Sequence, residues 1–432
     1  WIVHLNGEAI STGPIPQAPG LPDFGRVVRR KVLDEILARK AATSGADLIE
    51  GFTATDLQVH PSGISVHGIH RGGPATLNGR LVIVADGSRS RLAVRLGVEP
   101  VSGQRDPFAL RAYYRDVPSP AHTTAVFFDT DFFPGYAWMF PTGDGGANVG
   151  LGMPMDVCRH YGINMRERFV RWLREDPGLQ KMLGDAVPEG KILGWPLIGF
   201  QGRHGNHAER ALIVGDAGRL TDPVNGEGVH TALESARLAA SVADAALRAD
   251  DLSAGALSAY ERAWREKFDL DLRTSDLAAT MAKNRDLLPV WTLVIRMIAE
   301  RSLVDPEFAA TCGGIMAGGV PAPPGGSLGP TAPGAPPAAP VWPPPPPGGQ
   351  QAWSALLASG RSEDASDFGT DWLREVVTKT ATVSGGLTQA YGLPWVTDSA
   401  PRRREPRRPP ATAAAPSNAL PTIVLSPNGR RR

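Results

Sequence analysis

The segment Gly215 to His230, GDAGRLTDPVNGEGVH, constrains this chain more than any other. The apolar run Ala211 to Val214 leads into Gly215-Asp216 and reads as a short buried strand. A loop carrying Pro223 and Asn225-Gly226 follows. Val229 to Leu247 then has the Ala-rich amphipathic pattern of a helix. A strand, a Gly/Pro loop and a helix start together present backbone N–H groups to an electron-rich ligand. A carboxylate at the strand end accepts hydrogen bonds from sugar-like hydroxyls. That combination suits a flavin, with Asp216 toward the ribityl chain and the amides from Gly226 through Gly228 to Val229 toward the pyrimidine edge of the ring.

Composition narrows the class. A length of 432 residues allows more than one domain, and 42% hydrophobic content supports a real core. A formal net charge of +1 gives no reason to expect nucleic acid as a partner. Cys158 and Cys312 cannot build a zinc cluster or a disulfide framework, and they read as ordinary thiols in a reducing, cytoplasmic compartment. Nine histidines, His67 and His70 among them, have no metal-ligand spacing, so no metal is expected. No apolar run reaches the roughly 18 residues a membrane helix needs. The most apolar helical stretch, Leu287 to Val304, is broken by Arg296, Glu300 and Arg301.

Val27 to Ser44 reads as a helix, with Val32, Leu33, Ile36, Leu37 and Ala41 at helical spacing and Gly45 placed to end it. Residues 52–84 alternate in short runs, as strands of a small sheet that ends at Asp86-Gly87. Asp86 is also positioned to cap a helix over Ser88 to Leu96. From Phe108 to Met153 the pattern is all strand, with Thr142 to Gly146 as a hairpin loop. Period-two alternation puts Tyr136, Trp138 and Phe140 on one face of their strand, and Asn148, Gly150 and Gly152 on one face of the next. If those faces coincide, three aromatics stand beside two positions without side chains, leaving room for a slender apolar ligand. The alternative is an aromatic stripe that builds core. Met165 to Glu175 reads as an amphipathic helix, Gly194 to Leu197 as a returning strand, and Ser253 to Arg273 and Leu287 to Arg301 as closing helices.

Three segments, in order, carry a resemblance. Residues 215–240 resemble the second flavin motif of the FAD-dependent monooxygenase and geranylgeranyl reductase superfamily. Val82 to Arg91 resembles its internal Asp-Gly motif. Pro134-Gly135-Tyr136-Ala137-Trp138-Met139-Phe140-Pro141, followed by Asn148 to Gly152, resembles the Tyr-x-Trp-x-Phe-Pro substrate motif of geranylgeranyl reductases and favours that branch. The resemblance spans about residues 20–305.

It implies an α/β fold, α+β in the substrate region: a Rossmann-like FAD-binding domain, an antiparallel substrate sheet and C-terminal helices. The implied division is 1–104 for the remainder of the FAD-binding domain, 105–200 for the substrate sheet and 201–312 for the FAD-binding return and closing helices. Residues 313–350 are a Pro/Gly-rich linker and 351–432 a mostly disordered tail. Short helices at Ala352 to Ala358 and Asp371 to Lys379, and the basic run Arg402 to Arg408, lie in that tail. The chain opens with Trp1 and has no G-x-G-x-x-G between a strand and a helix, the loop that holds the FAD pyrophosphate in the resembled family. It reads as lacking the first βαβ unit, the alternative being a complete protein that binds no FAD.

The implied cofactor contacts are Arg30, from an Arg-x-x-x-Asp helix, with Asp86, Gly87, Gly215, Asp216, Pro223, Asn225, Gly226, Gly228 and Val229. Tyr136, Trp138, Phe140, Gly150 and Gly152 are the implied substrate wall, and Tyr136 is a candidate proton donor. The implied reaction is hydride transfer from reduced FAD to an isolated C=C of a polyprenyl group, on a geranylgeranyl lipid or a menaquinone side chain. NADPH or another donor would reduce the flavin, and a greasy substrate would bring peripheral membrane contact. The alternatives are an FAD-dependent aromatic or polyketide monooxygenase and a non-catalytic fragment.

Overall fold

The computed structural model describes residues 1–13, 27–98, 100, 106–118, 122–200, 202 and 205–305. Its elements, in chain order, are β1 (Ile2–Leu5), β2 (Glu8–Thr12), α1 (Arg30–Thr43), β3 (Phe52–His60), β4 (Gly63–His70), β5 (Gly73–Gly79), β6 (Val82–Val84), α2 (Arg91–Arg95), β7 (Pro107–Arg115), β8 (Ala125–Phe128), β9 (Tyr136–Pro141) and β10 (Ala147–Pro154). There follow α3 (Met155–His160), α4 (Met165–Glu175), α5 (Pro177–Leu183), β11 (Val187–Pro196), β12 (His207–Ala208), β13 (Ala211–Ile213), α6 (Val229–Ala249), α7 (Ala254–Ala282) and α8 (Leu288–Val304).

The alternating stretch from Phe108 to Met153 builds a seven-stranded sheet of order β11-β7-β10-β9-β8-β1-β2. One face is core. Leu110 and Ala112 of β7, Ala137 and Met139 of β9, and Val149 and Leu151 of β10 pack against Phe169 and Trp172 of α4 and Leu179 of α5. Polar and aromatic residues between them necessarily point to the opposite face.

Residues 1–12 were expected within the cofactor-binding part. Instead β1 and β2 extend the large sheet, β1 lying parallel to β8 with Ile2 beside Ala125. The expected antiparallel sheet is therefore mixed. Nothing local in four-residue strands selects between two sheets; β1 joins the one whose edge its apolar residues Leu5 and Ile2 can cover.

A second sheet has order β12-β13-β6. β13 runs parallel to β6, with Ala211 opposite Val82 and Ile213 opposite Val84. The strand that leads into the second flavin motif thus lies beside the strand that leads into Ala85-Asp86. Leu212 and Val214 are covered by Ala239 of α6 and by Leu257, Tyr260 and Trp264 of α7. The Tyr260 hydroxyl donates to the Ile213 carbonyl at 3.0 Å. β3, β4 and β5 form an antiparallel meander whose Phe52 and Val66 share a core with Val84, Ile213 and Leu92 of α2.

Three expectations change in detail. Ser90, not Asp86, caps α2, its hydroxyl accepting from Ala93 N at 2.8 Å, because the two residues after Gly87 turn before the helix begins. α7 runs on to Ala282, although its last buried residue is Leu272. α1 forms, yet none of its residues is buried and Val32, Ile36 and Leu37 face outward. Among the described residues no helix is long and apolar enough to cross a membrane. The linker, the tail with its helices and basic run, and Cys312 lie outside the described residues.

Candidate active site

The strand β13 ends at Val214, and Gly215–Gly218 then makes one tight 3-10 turn. Gly215 has φ +56°, and a Cβ there would lie 2.9 Å from that of Ala232, so only glycine lets the turn sit against α6. Asp216 is thereby aimed at the loop. Its Oδ1 accepts from the Thr221 hydroxyl at 3.0 Å. A Cβ on Gly228 would come within 2.9 Å of that same oxygen, so the bare backbone at Gly228 forms one wall of the Asp216 cradle. Burial pushes the Asp216 carboxyl above the usual carboxylate range, against the opposing pull of the Thr221 hydrogen bond and the Arg30 charge, while Glu227 adds to the rise. Arg30 itself pairs with Asp34 at 3.0 Å, and its charge reaches Asp216 from the start of α1.

The loop from Asp222 to Glu227 is closed on itself. Asp222 Oδ1 accepts from Val224 N at 2.8 Å and Asn225 N at 3.0 Å, and its carbonyl accepts from Gly226 N at 3.0 Å. Asp222 Oδ2 takes the Ser275 hydroxyl of α7 at 2.6 Å. Gly226, at φ +68°, completes the turn. Pro223 stacks beside Gly199, whose strand-like segment bridges to Thr221.

The expectation that the amides from Gly226 to Val229 stand ready for a ligand needs correction. Glu227 N donates to Asn225 Oδ1 at 2.8 Å, and Val229 N and His230 N both donate to Glu227 Oε1, at 3.1 and 3.2 Å. The other oxygen of Glu227 pairs with His230 Nδ1. A carboxylate two residues before a helix is where the N-terminal dipole attracts it most, so Glu227 holds the α6 amides itself. That hydrogen bond raises the His230 pKa over the opposing effect of burial, with further help from the charges of Glu227, Asp222 and Asp271.

The aromatic strand faces this loop. Register pairs Trp138 with Gly150 and Tyr136 with Gly152, so the two sequence faces do coincide. Tyr136, Trp138 and Phe140 are half-buried, whereas Ala137, Met139 and Pro141 between them are buried. The stripe is therefore the face opposite the core. Tyr136 and Trp138 lie 5.9 Å apart, Trp138 and Phe140 stack at 6.2 Å, and Phe128 adds a fourth ring 6.2 Å from Tyr136. The room expected over Gly150 is taken by Trp138 itself. A Cβ on Gly150 would sit 2.1 Å from an indole carbon, and Trp138 Nε1 is tied down to Asn148 Oδ1 at 2.9 Å. The glycine lets the indole lie flat across the sheet, and the open surface is the ring's outer side.

The sheet meets the cofactor segments at two places, Tyr136 and Trp195. The Tyr136 hydroxyl donates to the Asn225 carbonyl. Burial, with Asp222 and Glu227 nearby, holds the Tyr136 phenol above its usual pKa. Trp195 Nε1 donates to Ser88 Oγ at 2.8 Å, and the Arg89 guanidinium lies 5.4 Å from the Trp195 ring. Ser88 and Arg89 directly follow Asp86 and Gly87, the latter at φ +80°. Asp86 is exposed at the end of the segment after β6. Glu227, Asp222 and Ser88 escaped the sequence reading; an acidic residue just ahead of a helix is a capping signal that flags Glu227. Cys158 is buried and its thiol is pushed up to about 11, chiefly by burial, which leaves it unreactive.

The model of the geranylgeranyl reductase catalytic domain matches residues 108–184. A digeranylgeranylglycerophospholipid reductase 2 of Methanopyrus kandleri is 32% identical over 282 residues, 62% of this chain and 68% of that protein. The corresponding enzyme of Methanothermobacter thermautotrophicus is 34% identical over 257 residues, 58% and 63% of the two chains. The chain thus spans about two thirds of these relatives' length. Among solved structures, a geranylgeranyl bacteriochlorophyll reductase-like protein from Thermoplasma acidophilum aligns with TM-score 0.54 and 23% identity, covering 63% of this chain and 66% of that one, which is a likeness of fold. With mixed sheets arranged as in FAD-binding oxidoreductases and with these relatives, the chain belongs to the geranylgeranyl reductase family of FAD-dependent oxidoreductases and is an enzyme.

Proposed function

We propose that the chain reduces isolated C=C bonds of a polyprenyl substrate held between the Asp222 to Glu227 loop and the Tyr136, Trp138, Phe140 face. The observation that carries this reading is the hydrogen bond from the Tyr136 hydroxyl to the Asn225 carbonyl, which ties the aromatic strand to the flavin loop. The relatives' names supply the substrate class, a digeranylgeranyl glycerophospholipid. When bound, FAD would supply a hydride from its reduced ring.

The chain's own residues suit that cofactor at one end. Asp216 lies in a cradle that a Cβ at Gly228 would fill, and it is aimed where ribityl hydroxyls could donate to it. Arg30, Asp86, Gly87, Gly215 and Pro223 are further proposed contacts; Gly215 belongs to the Asp216 turn and the Arg30 charge reaches Asp216. At the pyrimidine edge Glu227 must first release the α6 amides. The exposed apolar side of α1 and the edge of β6, which pairs only with β13 among the described residues, are where a further strand and helix of the resembled FAD-binding unit would pack.

An isolated alkene is not polarised, so binding must do the positioning. The indole and phenyl surfaces give an isoprenoid chain an apolar wall and exclude water from it. Tyr136 keeps its proton throughout the neutral range, because its pKa is raised; it orients the loop through Asn225 and is the proposed proton source. Electrons would come from NADPH or another donor, and the apolar substrate would bring the protein to a membrane surface.

The test is anaerobic turnover of the flavin-loaded protein with digeranylgeranylglycerophospholipid and a chemical or nicotinamide reductant. The expected product gains two mass units for each double bond reduced. Oxygen consumption coupled to a hydroxylated product would make it a monooxygenase instead. A purified chain that takes up no FAD would be the non-catalytic alternative.

A further inference from the structure

The aromatic face carries one positive group that the reading above leaves unexplained. β7 alternates, so with Leu110, Ala112 and Tyr114 in the core, Arg111 and Tyr113 share the face of Trp138. Register puts Trp138, Gly150 and Arg111 in one row across three adjacent strands, and Phe140, Asn148 and Tyr113 in the next. Because the indole lies over Gly150, its far edge is directed along the row that leads to Arg111.

Two guanidinium groups stack on Tyr113, those of Arg29 and Arg111, each 4.9 Å from the ring centroid. They are not equivalent. Arg29 Nε donates to Asp144 at 3.1 Å and its Nη1 to Glu189 at 2.7 Å, which commits both nearby carboxylates. Arg111 is half-buried and, among the described residues, has no ion pair and no hydrogen bond. On its other flank it faces Leu193 of β11, which is 53% exposed, with Trp195 49% exposed two residues further on. With Asp144 and Glu189 paired to Arg29, a guanidinium stacked on Tyr113 in an open, largely apolar face is suited to an external anion. Its planar fork fits the oxygens of a phosphate.

We propose that Arg111, steadied by Tyr113, binds a phosphate group on the substrate, with the prenyl chain running from there over Trp138 to Tyr136 and the Asn225 loop. This rests on the polyprenyl reading and sharpens it. It selects a phosphorylated prenyl lipid over an uncharged one such as a quinone side chain. A glycerophosphate ester and a simple prenyl phosphate share the chemistry Arg111 would recognise.

Calorimetric titration of the full chain, without added flavin, separates the possibilities. The probes are geranylgeranyl phosphate, digeranylgeranylglyceryl phosphate and geranylgeraniol, each below its aggregation threshold. The wild type is expected to bind at least one phosphate about tenfold or more tightly than the alcohol, and that preference should shrink as salt rises. Tighter binding of the glyceryl phosphate than of the simple phosphate would identify the lipid as the source. Arg111→Gln should erase the preference while leaving alcohol binding unchanged, and Arg111→Lys should keep part of it. Equal affinity for phosphates and alcohol in the wild type, or a preference that survives Arg111→Gln, would overturn the assignment and leave the polyprenyl reading standing. Binding of none of the three would overturn both.

Discussion

Replacing Gly150 by Ala tests the packing of the aromatic face directly. The new Cβ would lie 2.1 Å from one indole carbon of Trp138 and 2.5 and 2.7 Å from two others. Ordinary carbon contacts begin near 3.5 Å, so the ring must rise by roughly 1.5 Å. That movement breaks the 2.9 Å bond from Trp138 Nε1 to Asn148, a net loss of about 1 kcal/mol. Overpacking adds about 1–3 kcal/mol where a ring cannot move, and the half-buried indole can, so the lower end applies. The total is about 2 kcal/mol, or a fall in Tm of roughly 4–8 °C for a domain of this size. A thermal melt followed by circular dichroism reads the loss, and tryptophan emission should shift to the red as the indole lifts toward water. A Tm within about 1 °C of the parent, with unchanged emission, would show that the indole does not lie on Gly150, and the geometry of the wall would have to be redrawn.

The Asp216→Asn variant should be more stable than the parent at pH 7 in the absence of flavin, yet bind flavin more weakly. The sign follows from the raised pKa: the native state is favoured while Asp216 is protonated, and that stability is lost as pH climbs from the ordinary carboxylate value through the higher folded one, so the gain should vanish near pH 4. Melts at the two pH values check it, and a variant less stable at pH 7 would refute it. Asp106→Asn removes the charge that pairs with Arg219 at 3.5 Å, while the guanidinium keeps its bond to the Pro100 carbonyl, and should lower stability by about 2 kcal/mol in a urea titration. The raised pKa of His230 means that its pairing with Glu227 stabilises fully below about pH 6.5 and fades as pH passes the folded value. An imidazole NMR titration should place His230 above that ordinary value, with the shift lost in Glu227→Gln.

Much of the candidate site's local geometry could be read from the chain because its signals are local. Gly215, Asp216, Gly226 and Gly228 sit in a turn whose sterics only glycine or a short acceptor satisfies, and the period-two pattern assigned Tyr136, Trp138 and Phe140 to one face. Periodicity names faces but not what lies over them, so the filling of the Gly150 space by Trp138 escaped it. The readiness of the α6 amides was misjudged for a different reason. A helix start attracts any carboxylate, including one from its own chain, and Glu227 is nearer than any ligand. The placement of β1 and β2 was hidden because strand pairing is decided by partners far along the chain, which short runs such as Ile2 to Leu5 cannot specify. The significance of Arg111 lies in Arg29 having taken Asp144 and Glu189, a competition visible only in three dimensions.

The pairing of β1 with β8 also sets a timetable. Ile2 to Leu5 leave the ribosome well ahead of Ala125 to Phe128, the strand they pair with on that side. Until then β1 waits as an open edge with β2, prone to self-association. Pulsed-labelling of nascent chains should therefore find residues 2–12 unprotected in stalled products that stop short of β8, and protected soon after it clears the exit tunnel.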